Sequence, residues 1–133
     1  MAQWEPSSFT KLMGVKVTLR SAERSEAELH IREELCNHRG VLHGGAFMAW
    51  ADTMGGITAS AGLAAGQRTA TIESKTNFFA AVPKGDTARA VSTPLHRGRT
   101  TIVVQTNITR GDGKLAAIVT QTQLVLAADR SEG

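Results

Sequence analysis

His43-Gly44-Gly45 and Asp52 are the residues whose types and spacing could do chemistry. They stand in "GVLHGGAFMAWADTMGGITAS", residues 40–60, a stretch otherwise made of small and apolar residues. An ionised carboxylate is costly to bury without partners, and acids in such settings concentrate where their protonation is used. Asp52 could therefore act as nucleophile or general base; pointing at solvent or capping a backbone group would account for it equally well. Gly44 lies in the first turn of the predicted helix, where N–H groups lack intrahelical acceptors and the dipole favours negative charge. A carbonyl becoming an oxyanion there would gain about 3 kcal/mol from one well-placed donor. The combination describes acyl transfer to water. A glycine-rich helix head also suits a phosphate, but neither GxGxxG nor a Walker lysine accompanies this one, and no GxSxG motif is present.

His43 and Asp52 are nine residues apart. On a helix that is about half a turn off, with about 13 Å of rise between them. One chain would not bring both ends to a single small reacting group. If both serve one site, a second copy supplies one of them, and two-fold pairing then yields two equivalent sites.

The elements that must position these residues follow from the pattern. "PSSFTKLMG" predicts a short opening helix, with Pro6 early and Gly14 as its stop. "VKVTL" and "SEAELHI" alternate as two half-buried strands joined by the polar turn Ser21–Glu23. The run from Gly44 to Leu63 is too long for a strand and predicts one long helix. Its interior glycines cost about 1 kcal/mol each against alanine, which makes sense if a curved sheet closes round the helix. Met48, Trp50 and Met54 are expected in the core or lining an acyl pocket. "TATIESKTNFFAAV", "DTARAVSTPL", "TTIVVQTNIT" and "KLAAIVTQTQLVL" then predict four strands. "RGDGK" is a hairpin signal, and turns as short as "VPKGD" and "HRGR" lead to the expectation of an antiparallel meander. The class is α+β, one sheet of five to six strands with a single long helix. Glu73, an acid in an apolar strand, fits either a second polar group near the site or a cross-strand partner.

At these residues the chain resembles the hotdog-fold acyl-CoA thioesterases, in their phenylacetic-acid-degradation (PaaI-type) branch. The resemblance rests on "N-x2-G-x2-HGG-x6-D", here Asn37, Gly40, His43, Gly44, Gly45 and Asp52, supported by "FxxxVPKGD" and "HRGRT". It implies a curved antiparallel sheet wrapped round the central helix. Dimers would pair the first strand after the helix with its twin, and tetramers are expected from them. It implies that Asp52 is the nucleophile or general base, and that the Gly44 N–H of the other chain polarises the thioester carbonyl. Asn37 would hold the carbonyl end or the attacking water, and His43 would shape the helix-head loop. Thr71 would orient the water, since Gly56 occupies the alternative place one helical turn beyond the acid. Gly45, Arg97, Gly98, Arg99 and Thr100 would contact coenzyme A, although a solvated hairpin turn would explain "HRGR" as well. No cofactor or metal is implied. The expected substrate is a small aromatic or medium-chain acyl-CoA. Two rivals stand beside hydrolysis: a hotdog hydratase or dehydratase, and a non-catalytic acyl-CoA-binding protein.

Composition narrows the classes further. A chain of 133 residues without a composition break predicts one domain, 1–133. The net charge of +3 is spread along the chain, against a nucleic-acid partner. The apolar window 41–64 is interrupted by His43, Asp52 and glycines, against a membrane span. With one cysteine, Cys36, and no export signal in view, a cytoplasmic location is expected. His38 and His43 lack the further ligands of a metal site.

Overall fold

A computed structural model describes residues 4–128. Helix α1, Ser8–Met13, starts where the Ser7 hydroxyl accepts from the Thr10 N–H and stops at Gly14, whose φ of 85° suits glycine. Strands β1 (Lys16–Leu19) and β2 (Ser25–His30) follow, then a 3₁₀ turn at Glu33–Leu35. Helix α2 spans Gly44–Ala61. Strands β3 (Arg68–Phe78), β4 (Thr87–Arg97), β5 (Thr101–Thr109) and β6 (Leu115–Leu126) complete the chain.

The elements agree with the pattern, but the strand order does not. A meander would pair β3 with β4. The sheet instead runs β1-β2-β4-β5-β6-β3, antiparallel throughout, so β3 pairs with β6 at one edge. The reason lies in "VPKGD", which is not a hairpin tip. Leu42 N–H donates to the Val82 carbonyl at 2.8 Å, Lys84 N–H to Gly40 at 2.9 Å and Gly85 N–H to Ile31 at 2.8 Å. The backbone groups of this segment are satisfied by the loop before α2 and the end of β2. The chain thereby crosses from the sheet's edge to its middle. "RGDGK" and "HRGR" do close the β5–β6 and β4–β5 connections as expected.

Helix α2 lies in the curve of this sheet. Phe47, Trp50, Ala51, Met54 and Ile57 recur at helical spacing and pack in one core with Ala27 and Leu29, Ala88 and Ala90, Ile108, and Ala117 and Val119. The alanines on the sheet let the helix come close. Trp50 and Met54 are wholly buried, and side chains of that size contribute about 1.5–3 kcal/mol each on burial. Met48 departs from the expectation: it is 44% exposed on the opposite side of the helix and belongs to neither core nor cleft.

Candidate active site

Asp52 leaves the outer side of α2 one turn beyond Met48, and β3 passes beside it. The Thr71 hydroxyl donates to Asp52 Oδ1 at 2.7 Å, and Gln121 Nε2 donates to the same oxygen at 3.1 Å. Among the described residues Oδ2 has no hydrogen-bond partner, so the carboxylate is half-held and half-open. It opens on a cleft of about 360 Å³ that also exposes Trp4, Gly56, Ile57, Thr69 and Thr71. Two adjacent glycines follow Asp52 on α2 and differ in their surroundings. A Cβ on Gly55 would collide with the Gln121 amide, 2.9 Å from Cδ and nearer still to Oε1, whereas one on Gly56 would meet nothing within 4 Å.

Thr71 reaches Asp52 because β3 is bulged. Its pairing with β6 shifts register between Thr71 and Glu73, leaving Ile72 as the extra residue. A bulge exchanges which alternate residues face the helix. Thr69 and Thr71 line the Asp52 cleft before it, while Ser74 and Phe78 meet core-side groups after it. Glu73 is thereby turned from the site; it pairs in register with Thr122 and forms no ion pair among the described residues.

The head of α2 is built by His43. As N-cap, its Nδ1 accepts from the Gly45 N–H at 2.8 Å, which places the imidazole proton on Nε2. The Gly45 N–H is therefore engaged, while the Gly44 N–H has no acceptor among the described residues. Gly44 opens on a second, apolar cleft with Leu42, Phe47, Phe78 and Phe79, and Phe78 stacks edge-on against Phe47 at 5.5 Å. A Cβ on Gly44 would touch the Phe78 ring at 3.4 Å. Asn37 folds the preceding loop: its side-chain oxygen accepts from the Arg39 N–H at 2.9 Å, and its carbonyl from Gly40, whose φ is 74°. It lines neither cleft.

At the far end of α2, the Arg97 guanidinium donates to the carbonyls of Ala59 and Thr58 at 3.0 Å each and of Ala22 at 2.9 Å. A cation on these last carbonyls favours the helix. Gly62 makes room for it, since a Cβ there would fall 2.8 Å from the guanidinium. Arg97, Gly98 and Arg99 share a shallow cleft of about 200 Å³ with Gly62 and Gln67, and Arg99 and Thr100 are exposed. The structure thus brings Thr71 to Asp52 and His43 to Gly45. It sets Gly44, Asn37 and the Arg97–Thr100 turn apart from the acid.

Gln121 and Gln123 are the site residues that the pattern did not single out. Both sit on β6 at positions buried under α2, each 1% exposed. Two glutamines at alternate positions of an otherwise apolar strand face were the available signal. Among the described residues no cluster of three or more His, Cys, Asp or Glu could hold a metal, and no helix is long and apolar enough to cross a membrane.

Residues 39–117 match the family model of the thioesterase superfamily. ComA2 of Bacillus subtilis, named an esterase, is 32% identical over 124 residues, which are 90% of this chain and 94% of that protein. The crystal structure of a thioesterase from Haemophilus influenzae superposes with a TM-score of 0.85 at 27% identity, covering 90% of this chain and 83% of the other. A hypothetical thioesterase from Streptococcus pneumoniae, crystallised with coenzyme A, shares the fold with a TM-score of 0.79 at 22% identity over 86% and 87% of the two chains. With the family match spanning more than half the chain, the protein belongs to the thioesterase superfamily and is a hotdog-fold thioester hydrolase.

Proposed function

We propose that the protein hydrolyses a small aromatic or medium-chain acyl-CoA. In this reading Asp52 of one copy acts on a thioester carbonyl that the Gly44 N–H of a second copy polarises. The observation that carries it is the placement of the two groups against opposite ends of one exposed edge strand. Asp52 takes its hydrogen bond from Thr71, and Gly44 lies against Phe78. β3 is eleven residues long, nine of them exposed, and bears Ile72 and Phe78 at 59% and 52% exposure. A long exposed edge of this kind is a template for pairing with another strand. A two-fold axis near the middle of β3 would set Thr71 opposite the partner's Phe78, and so the acid of each copy beside the helix head of the other. Both clefts are half-sites in a single chain, and such pairing completes each with the other. Two such dimers would make the expected tetramer.

In the completed site, Asp52 Oδ2 either attacks the carbonyl, forming a mixed anhydride that water then hydrolyses to free the acid and the carboxylate, or takes a proton from the attacking water and returns it to the leaving thiolate. The oxyanion is held by the Gly44 N–H at the positive end of α2, and the coenzyme A thiolate leaves. Thr71 spends its proton on Asp52 and accepts from Gln123 at 2.8 Å, leaving one lone pair to orient the water. Asn37, whose oxygen is committed to its own loop, would offer its amide N–H to the carbonyl end or the water. At the other end, Arg99 with Gly98 and Thr100 would meet the phosphates of coenzyme A, and Arg97 would hold that turn to the helix tail. The coenzyme A complex of the Streptococcus pneumoniae protein supports this class of substrate.

The test is thiol release from benzoyl-, phenylacetyl- and hexanoyl-CoA. Hydrolysis by the wild type, lowered about 10²–10⁴-fold in Asp52→Asn with coenzyme A binding retained, is the expected result. Turnover by Asp52→Asn at the wild-type rate would overturn it.

A further inference from the structure

Gln121 and Gln123 carry the most completely buried polar side chains beside Asp52, and the reaction just described assigns Gln121 no part. Gln121 Nε2 donates to Asp52 Oδ1 at 3.1 Å and reaches Ser74 Oγ at 3.5 Å, while its Oε1 accepts from Gln123 Nε2 at 3.4 Å. Gln123 Nε2 also donates to Thr71 Oγ1, and the Thr71 hydroxyl donates to Asp52 Oδ1. Both donor chains converge on one carboxylate oxygen. The amides are too buried to trade these bonds for water, so leaving a donor unmade carries the full desolvation penalty. The fold also makes a seat for Gln121. Gly55 stands where any Cβ would overlap the Gln121 amide, although glycine is a poor helix former.

We propose that Gln121, with Gln123 acting behind Thr71, is a positioning residue for thioester hydrolysis. It pins Asp52 through Oδ1 and so presents Oδ2 to the reacting carbonyl or water. This rests on the reading of Asp52 as the acting acid. Its consequence is that shape and hydrogen bonding at position 121 serve different ends: shape fills the slot at Gly55, and the Nε2 donor aims the acid.

The two roles separate in a set of variants assayed with whichever of benzoyl-, phenylacetyl- or hexanoyl-CoA the wild type hydrolyses fastest. Gln121→Ala should lower kcat about 10- to 100-fold with KM changed less than about threefold. Gly55→Ala should lower both melting temperature and kcat. The double variant Gly55→Ala/Gln121→Ala relieves the overlap and should recover the wild-type melting temperature while kcat stays low. Gln121→Met keeps much of the shape without any hydrogen-bond donor and should show the same loss of kcat, which covers the case of a Gln121→Ala chain that does not fold. A purely space-filling glutamine would make the double variant recover kcat together with its melting temperature, and that result overturns the proposal. Wild-type kcat in folded Gln121→Met overturns it as well, while leaving Asp52 in place if Asp52→Asn is inactive. Full turnover by Asp52→Asn would remove the Asp52 reading and this inference together.

Discussion

Gly55 and Gly56 are neighbours in the chain, yet they face opposite worlds. Gly55 is on the inner face of α2 with Trp50, Met54 and Ile57, pressed against the sheet so closely that a methyl group would strike Gln121. Gly56 is on the outer side, one turn beyond Asp52, where a methyl group would meet empty space in the cleft. Both carry the same helical penalty of about 1 kcal/mol relative to alanine. On the inner face the gain is contact, because a buried glutamine can reach the acid only over a residue with no side chain. On the outer face the gain is room beside the acid. One helix thus serves as core and as site wall, and glycine is the hinge between those duties.

The comparison breaks most sharply at Gly55. Gly55→Ala overpacks the inner face and should lose about 1–3 kcal/mol of stability despite the better helix former, measured as a lowered urea midpoint. Gly56→Ala should do the opposite, gaining about 0.5–1 kcal/mol from helix propensity. Its added methyl group enters the Asp52 cleft, so KM for an acyl-CoA should rise in the more stable protein. Equal and same-signed effects at the two positions would erase the distinction. The smallest effect is expected far from both faces, at the β5–β6 hairpin. There a hydrogen bond from Arg110, with a second from the Lys114 N–H, lowers the Asp112 carboxyl from 3.8 to about 2. A depressed carboxylate contributes above its unfolded value and loses that contribution as pH falls from about 4 through 2. The hairpin amides should lose protection relative to their intrinsic exchange rates in that window, and Asp112→Asn should flatten the response without changing turnover at neutral pH.

The same contrast explains what could be read from the chain. The length of the run from Gly44 to Leu63, too great for a strand, marked α2, and "HGG" with Asp52 marked its chemical head and middle. Strand identities were also legible from their Val, Ile and Thr content. The place of β3 in the sheet was not, because pairing with β6 across about forty to sixty residues leaves no local trace. "VPKGD" carries ordinary turn residues, whose true partners, Gly40, Leu42 and Ile31, lie far upstream. Gln121 and Gln123 were obscured by composition: in "AIVTQTQLVL" Gln121 stands between Thr120 and Thr122 and Gln123 follows Thr122, so only Ala117 and Val119 at alternate positions mark the glutamine face as the buried one. The bulge at Ile72 hid the facing of β3 in the same way, by moving Thr71 and Ser74 to one side. Exposed Met48 shows the limit of residue type as a guide, since nothing but its angular place on α2 separates it from Met54.

A site shared between copies is the claim on which the functional account stands, and subunit mixing tests it most directly. Gly44 is the first helical residue and His43 before it is extended, so Gly44→Pro removes the N–H where proline is well tolerated. Asp52→Ala removes the acid. Each homodimer should be inactive, but a mixed dimer holds one doubly damaged site and one intact site. Thiol release should therefore return to about half the wild-type value per mixed dimer. Isolated mixed dimers as inactive as their parents would contradict the account.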